Sequence, residues 1–217
     1  MTVRLAISVE GPTEYEFCRE VIRPHLQAFG VWAEPKIVVT KRNIAGPNAK
    51  GGSVSMDRVV AEVTPLLYSF DHVTTLYDYY GFRGRAPGES ADDLCRRMAA
   101  QLGNPHCLFP YVQVHEFEAL LFSSPDTVGR FLGCPPVATV MNEAVAACGS
   151  AEQVNDSPVT APSKRMEKAF ADHVGQRYDK KFHGPLLLME MGLPVIRAAC
   201  PRFNGWLTQL EQLGGNA

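Results

Sequence analysis

The sequence predicts an α/β fold: a four-stranded, mostly parallel sheet flanked by helices, followed by a helical C-terminal section. Three observations carry this. Short apolar runs alternate with helix-period segments from Val3 to His115. Gly and Pro punctuate the changeovers, as at Gly11-Pro12 and Gly81 to Gly88. Beyond Glu116 the strand-like runs stop and only helical pieces follow. The α/β core is therefore drawn over residues 1–122 and the helical section over 123–217.

Val3 to Val9 reads as a buried strand. Thr13 to Phe29 follows with helical spacing, which Pro24 ends or kinks. Thr13 and Glu16 fit a capping box at its start. Val31 to Thr40 is a second strand, with Pro35 placing it near an edge or a start. Lys41 to Ser53 is a basic loop rich in Gly and Asn, and Met56 to Leu67 is helical. His72 to Tyr80 is β-branched and aromatic, hence a third strand. After a turn-rich loop, Ser90 caps a helix through Leu102, with Asp92 and Asp93 in its first turn. Cys107 to His115 is the fourth strand. The helical pieces are Glu116–Phe122, Asp126–Leu132, Val137–Cys148, Ser163–His173, Leu186–Met191 and Phe203–Leu213.

The chain has 217 residues and a formal net charge of −2, so any contact with nucleic acid must come from a local basic patch. Six scattered cysteines form no C-x-x-C pair, which argues against structural zinc and for reduced thiols in the cytoplasm. The apolar start is broken by Arg4 and Glu10, so it reads as neither a signal peptide nor a membrane span.

Acids mark the strand ends. Glu14 serves either as a first-turn acid or as a functional group. Glu10 closes a strand where no capping rule asks for it. Asp78 closes the third strand, His115 and Glu116 close the fourth, and Glu118 lies just inside a helix. A parallel sheet brings such ends to one edge, where ligands bind. Carboxylates gathered there repel one another unless a hard cation such as Mg²⁺ or Mn²⁺ lies among them. The plain alternative is a set of separate surface acids.

The stretches "VEGPTE", "DYYGF" and "HEFEALLF" resemble the Toprim arrangement of an early Glu, a strand-end Asp and a later acidic helix start. The chain resembles more closely a bacterial family, domain of unknown function 4276, whose pattern also matches "GGSVS", "APSKR", "YDK" and "CPRFNGWL". The Toprim resemblance, which extends to the nucleases of overcoming-lysogenization-defect proteins, implies Mg²⁺ at a site of phosphodiester chemistry. It matches Glu10 to the first acid, Glu14 to the second acid of an "EGxTE" pattern, and Asp78 to the first Asp of Asp-x-Asp. Tyr80 stands where the second Asp would be, which puts a two-metal site in doubt; Glu116 or Glu118 would compensate. The family resemblance implies an ABC-type ATPase partner and action in phage defence.

The expected function is thus an Mg²⁺-dependent nuclease, with Glu10, Asp78, Glu116 and Lys164 as catalytic residues. Glu10, Glu14, Asp78, Glu116 and Glu118 are the candidate metal ligands. Lys41, Arg42, Lys50, Arg83, Arg85, Arg165 and Lys180 are candidate nucleic-acid contacts. The alternative is a catalytically inactive module that binds or regulates an ATPase. Tyr79 and Tyr80 either stack on bases or join the core. Phe203 and Trp206 read as core anchors of the last helix.

Overall fold

The computed structural model describes residues 2–41, 49–50, 53–154 and 159–216. The chain divides into two units: Met1–Gln113 together with Thr208–Ala217, and Val114–Leu207. Among the described residues no helix is long and apolar enough to cross a membrane.

The first unit is α/β. Its central strand β1 (Val3–Val9) is flanked by β2 (Val31–Ile37) on one side and β5 (His72–Asp78) on the other, both parallel. Being covered on both faces explains why Leu5 to Val9 are all buried, with Ser8 alone polar among them. The sheet order is β2-β1-β5-β6 (Leu108–Phe109), with β7 (Val112–Gln113) also on β5 and every pairing parallel. A separate antiparallel pair joins β3 (Val39–Lys41) to β4 (Ala49–Lys50).

The expected fourth strand is two short pieces, β6 (Leu108–Phe109) and β7 (Val112–Gln113). Pro110 lies between them and has no N–H to donate to the ladder. Threonine hydroxyls of β5 bridge the break. Thr74 Oγ1 donates to the Phe109 carbonyl at 2.5 Å, and Thr75 Oγ1 donates to the Tyr111 carbonyl at 2.7 Å. The Tyr111 N–H returns a bond to Thr75 Oγ1 at 2.9 Å.

The first helix departs from expectation. α1 (Pro12–Phe17) starts a residue early because Pro12 takes its first position, leaving Gly11 as N-cap with no side-chain cap. Thr13 is therefore inside the helix and the capping box does not form; Glu16 pairs with Arg19 at 2.6 Å instead. Pro24 does not stop the chain either. A π turn at Cys18–Ile22 precedes it, and α2 (Arg23–Gln27) resumes with the proline in its first turn, where a missing N–H costs least.

α3 (Met56–Ser69) and α4 (Ala91–Gln101) cover one sheet face. Val59, Val63, Leu94 and Met98 pack there with Ala6, Val73, Tyr77 and Val112. Ser90 caps α4 as expected, and Asp93 completes the capping box. The segment from Thr208 belongs to this unit through Glu211, whose carboxylate meets His25 Nε2 at 2.6 Å, and through Gly214. A Cβ on Gly214 would fall 1.7 Å from the Phe29 carbonyl oxygen, so only glycine permits that backbone approach.

The second unit is helical. A 3₁₀ segment (Phe117–Ser123) leads into α5 (Pro125–Phe131) and α6 (Pro135–Cys148). α7 (Pro162–Ala169), α8 (Lys180–Met191), α9 (Leu193–Ala199) and α10 (Pro201–Glu211) follow, the last running on into the first unit. α5 and α6 meet closely at Gly129, where a Cβ would lie 2.7 Å from that of Ala138. Glu152, 6% exposed, accepts from the backbone N–H groups of Arg202 and Phe203, each at 3.0 Å. It thereby caps α10 from fifty residues upstream in the chain, satisfying donors the helix cannot. Phe203 and Trp206 are core residues, as the sequence suggests.

Candidate functional site

Glu10 directly follows β1, and Asp78 is the last residue of β5. Those two strands bracket the point where the strand order turns back: the chain runs from β1 out to β2, then crosses to β5 on the opposite side. Open parallel sheets bind ligands beyond the carboxyl ends of such a pair. Here the Glu10 carboxylate reaches the backbone of Asp78. The Asp78 N–H donates to Glu10 Oε2 at 3.3 Å.

Two glycines give the carboxylates their seats. A Cβ on Gly81 would press on Glu10 Oε1 at 3.1 Å, and one on Gly11 would meet Glu14 Oε2 at 3.1 Å. Glu14 is buried, at 6% exposure. Burial, with the Glu14 charge adding to it, pushes the Cys18 thiol far above its ordinary range, so Cys18 is an inert neighbour.

Below Glu10, Ser8 Oγ and the Tyr77 hydroxyl hydrogen-bond across 2.6 Å and tie β1 to β5. Burial pushes the Tyr77 phenol up, the Ser8 bond opposes this, and the charges of Glu10 and Glu62 push it further. Tyr77 therefore stays protonated and its role is structural. A cavity of about 500 Å³ opens at the carboxyl ends of β1 and β2. Ser8, Tyr15, Lys36 and Glu62 supply its polar groups, and Ile37 and Leu66 contribute apolar wall.

The loop after Asp78 is pinned. Arg97 donates to both oxygens of Glu89, at 2.6 and 2.8 Å, and Glu89 Oε2 also accepts from the Ala86 N–H at 3.0 Å. Arg83 N–H bonds the Val54 carbonyl at 2.7 Å, and the Arg85 guanidinium lies 4.0 Å from the centre of the Tyr79 ring. The Arg97 hydrogen bonds hold the Glu89 carboxyl below its usual range. A depressed carboxyl pKa stabilises above its unfolded value, about 4.3, and that contribution fades as pH falls through the lower folded value. Hydrogen exchange should therefore show Ala86 protected at pH 6 and losing protection below about pH 4.

Glu116 and Glu118 belong to the second unit. Glu116 Oε2 accepts from the Ser163 N–H at 2.9 Å, in the first turn of α7, and Glu118 is buried at 2% exposure. The N-cap of α7 is Ala161. His115 adopts a φ of 66°, a left-handed conformation rare outside glycine. Lys164 pairs with Glu167 at 2.7 Å, and Arg165 Nε donates to the Thr160 carbonyl at 2.9 Å. Lys180 opens α8. Arg42 and the side chains of Lys41 and Lys50 lie outside the described residues. Among the described residues, no three His, Cys, Asp or Glu side chains are grouped so as to hold a metal ion.

The sequence reading missed Gly81 and Gly11 as the makers of room for Glu10 and Glu14. Gly11 follows Glu10 in the quoted "VEGPTE", which was a signal for the first of them, whereas Gly81 stands three residues beyond Asp78. A family model described as a domain of unknown function (DUF4276) matches residues 9–211. Comparison with curated proteins and with solved structures returns no match.

Proposed function

The chain belongs to the DUF4276 family, and on that premise we propose that it is a divalent-cation-dependent nuclease of Toprim-like type, centred on Glu10 and Asp78. The observation that carries this reading is the reach of the Glu10 carboxylate to the Asp78 backbone at the turning point of the sheet, with Gly81 leaving room beside that carboxylate. Hard carboxylate oxygens suit Mg²⁺, which keeps several waters and takes one or two protein carboxylates. Glu10 and Asp78 are the two carboxylates that would hold one such ion. Tyr80 stands where a second ion would need another acid.

When bound, the ion would neutralise charge on the attacked phosphate and make water a better nucleophile. The protein's own part is placement. The Ser8–Tyr77 bond locks the two strands beneath the acids, and Gly81 leaves the Glu10 carboxylate its position. The cavity beside β1 and β2 gives an adjoining nucleotide room.

Titration with Mn²⁺ followed by electron paramagnetic resonance tests the site. The wild type should bind one ion per chain. Gly81→Val should weaken that binding by about tenfold or more, because the new side chain displaces a ligand oxygen. If Mn²⁺ does not bind at all, the nuclease reading fails. The reading as a regulatory module then stands, favoured by Tyr80 and by the lack of a three-ligand group among the described residues. The ABC-type ATPase partner and the phage-defence setting belong to the proposal under either reading, and co-purification with that ATPase tests them.

A further inference from the structure

Within the second unit, the segment from Gly175 to Asp179 links α7 and its π extension to the start of α8. Tyr178 anchors it: 5% exposed, its ring packs on Phe170 at 5.2 Å and on His183 at 5.8 Å. Two cavities, of about 590 and 540 Å³, open on this segment and share Glu167, Arg177 and Tyr178, so they form one trough. Its cations are Lys164, Arg177, Lys180 and Lys181; its acids are Glu167 and Asp179. The cations outnumber the acids four to two. Glu167 pairs with Lys164, and Asp179 Oδ1 accepts from the Lys181 N–H at 3.0 Å. Positive charge is left in excess. Phe182 follows the lysine pair and is 63% exposed, its ring held edge-on against His183 at 5.2 Å.

Cations lining a trough, with an exposed aromatic ring one residue beyond the lysine pair, match the two needs of an unpaired strand: charge for its phosphates and a face for its bases. We propose that this trough binds single-stranded nucleic acid, with Arg177, Lys180 and Lys181 on phosphates and one base stacked on Phe182. The inference rests on the nucleic-acid reading above and names its form as unpaired. A duplex would leave the ring without a partner, since paired bases do not present their faces.

Fluorescence anisotropy with labelled dT and rU 20-mers in EDTA tests binding apart from cleavage. The wild type should bind one or both, more weakly as salt rises. Arg177→Ala and Lys181→Ala should each flatten the plot of log affinity against log salt by about 0.7. Phe182→Ala should weaken binding by about tenfold with an unchanged slope. All three residues are exposed, so circular dichroism should show intact folds. No binding of either strand at 50 mM salt, or variants that bind like wild type, would overturn the proposal. So would equal competition by poly-glutamate, which would assign the trough to an acidic protein. Intact strand binding without metal-dependent cleavage would sink the nuclease reading and leave this one standing.

Discussion

Glu10→Gln and Asp78→Asn should each reduce Mg²⁺-dependent cleavage of nucleic acid by about 10³-fold or more, while shifting Tm by no more than about 2 °C. Each change removes one negative charge and keeps the shape. In the Glu10→Gln variant the new amide oxygen can still accept from the Asp78 N–H, and both positions are only partly buried, so folding has little to lose. Metal affinity has much to lose, because an amide oxygen is a poor substitute for a carboxylate around a hard cation. The measurement is cleavage of a labelled substrate beside a thermal melt of each variant. Retained cleavage in both variants, or equal loss of folding, would remove Glu10 and Asp78 from the chemistry.

The second large effect is on stability. Glu152→Ala should destabilise the protein by about 3 kcal/mol, because two charge-assisted hydrogen bonds vanish and leave one buried and one partly buried helix-end donor without a partner. For a chain of this size that is a fall in Tm of roughly 6–12 °C. Glu152→Gln should cost about half as much, since its carbonyl oxygen accepts from one N–H while its amide nitrogen faces the other. A melt of Glu152→Ala within a degree of wild type would show that water replaces the carboxylate.

Much of the α/β half was legible because its signals are local. A mostly apolar run followed by Glu10 marks β1, and a β-branched run ending in Asp78 marks β5. Their parallel pairing follows from the alternation with helices. What failed locally failed through proline. Pro12 at the first helical position outcompeted Thr13 as the start of α1, Pro110 split the fourth strand, and Leu193-Pro194 hid α9. The start of α8 was also missed, because Gly184-Pro185 reads as a breaker while Asp179 supplies a cap strong enough to begin the helix earlier. The boundary drawn after residue 122 and the contact boundary after Gln113 differ because the strand-end acids Glu116 and Glu118 were read with the sheet.

The site was half legible by the same logic. Acids at strand ends can be counted from sequence. A carboxylate capping a remote helix cannot, since Glu116 and Ser163 share no periodic relation. Nor can the fit of Gly81 to Glu10, which exists only once β5 lies beside β1.

Because the segment from Thr208 closes against the α/β unit at His25 and Phe29, that unit is interrupted by the whole helical stretch between. On the ribosome, the unit's last strand precedes its closing segment at Thr208 by nearly a hundred residues. At about 5–20 residues per second, that leaves the unit without its closing segment for roughly 5–20 s, an interval in which a chaperone would find its customer.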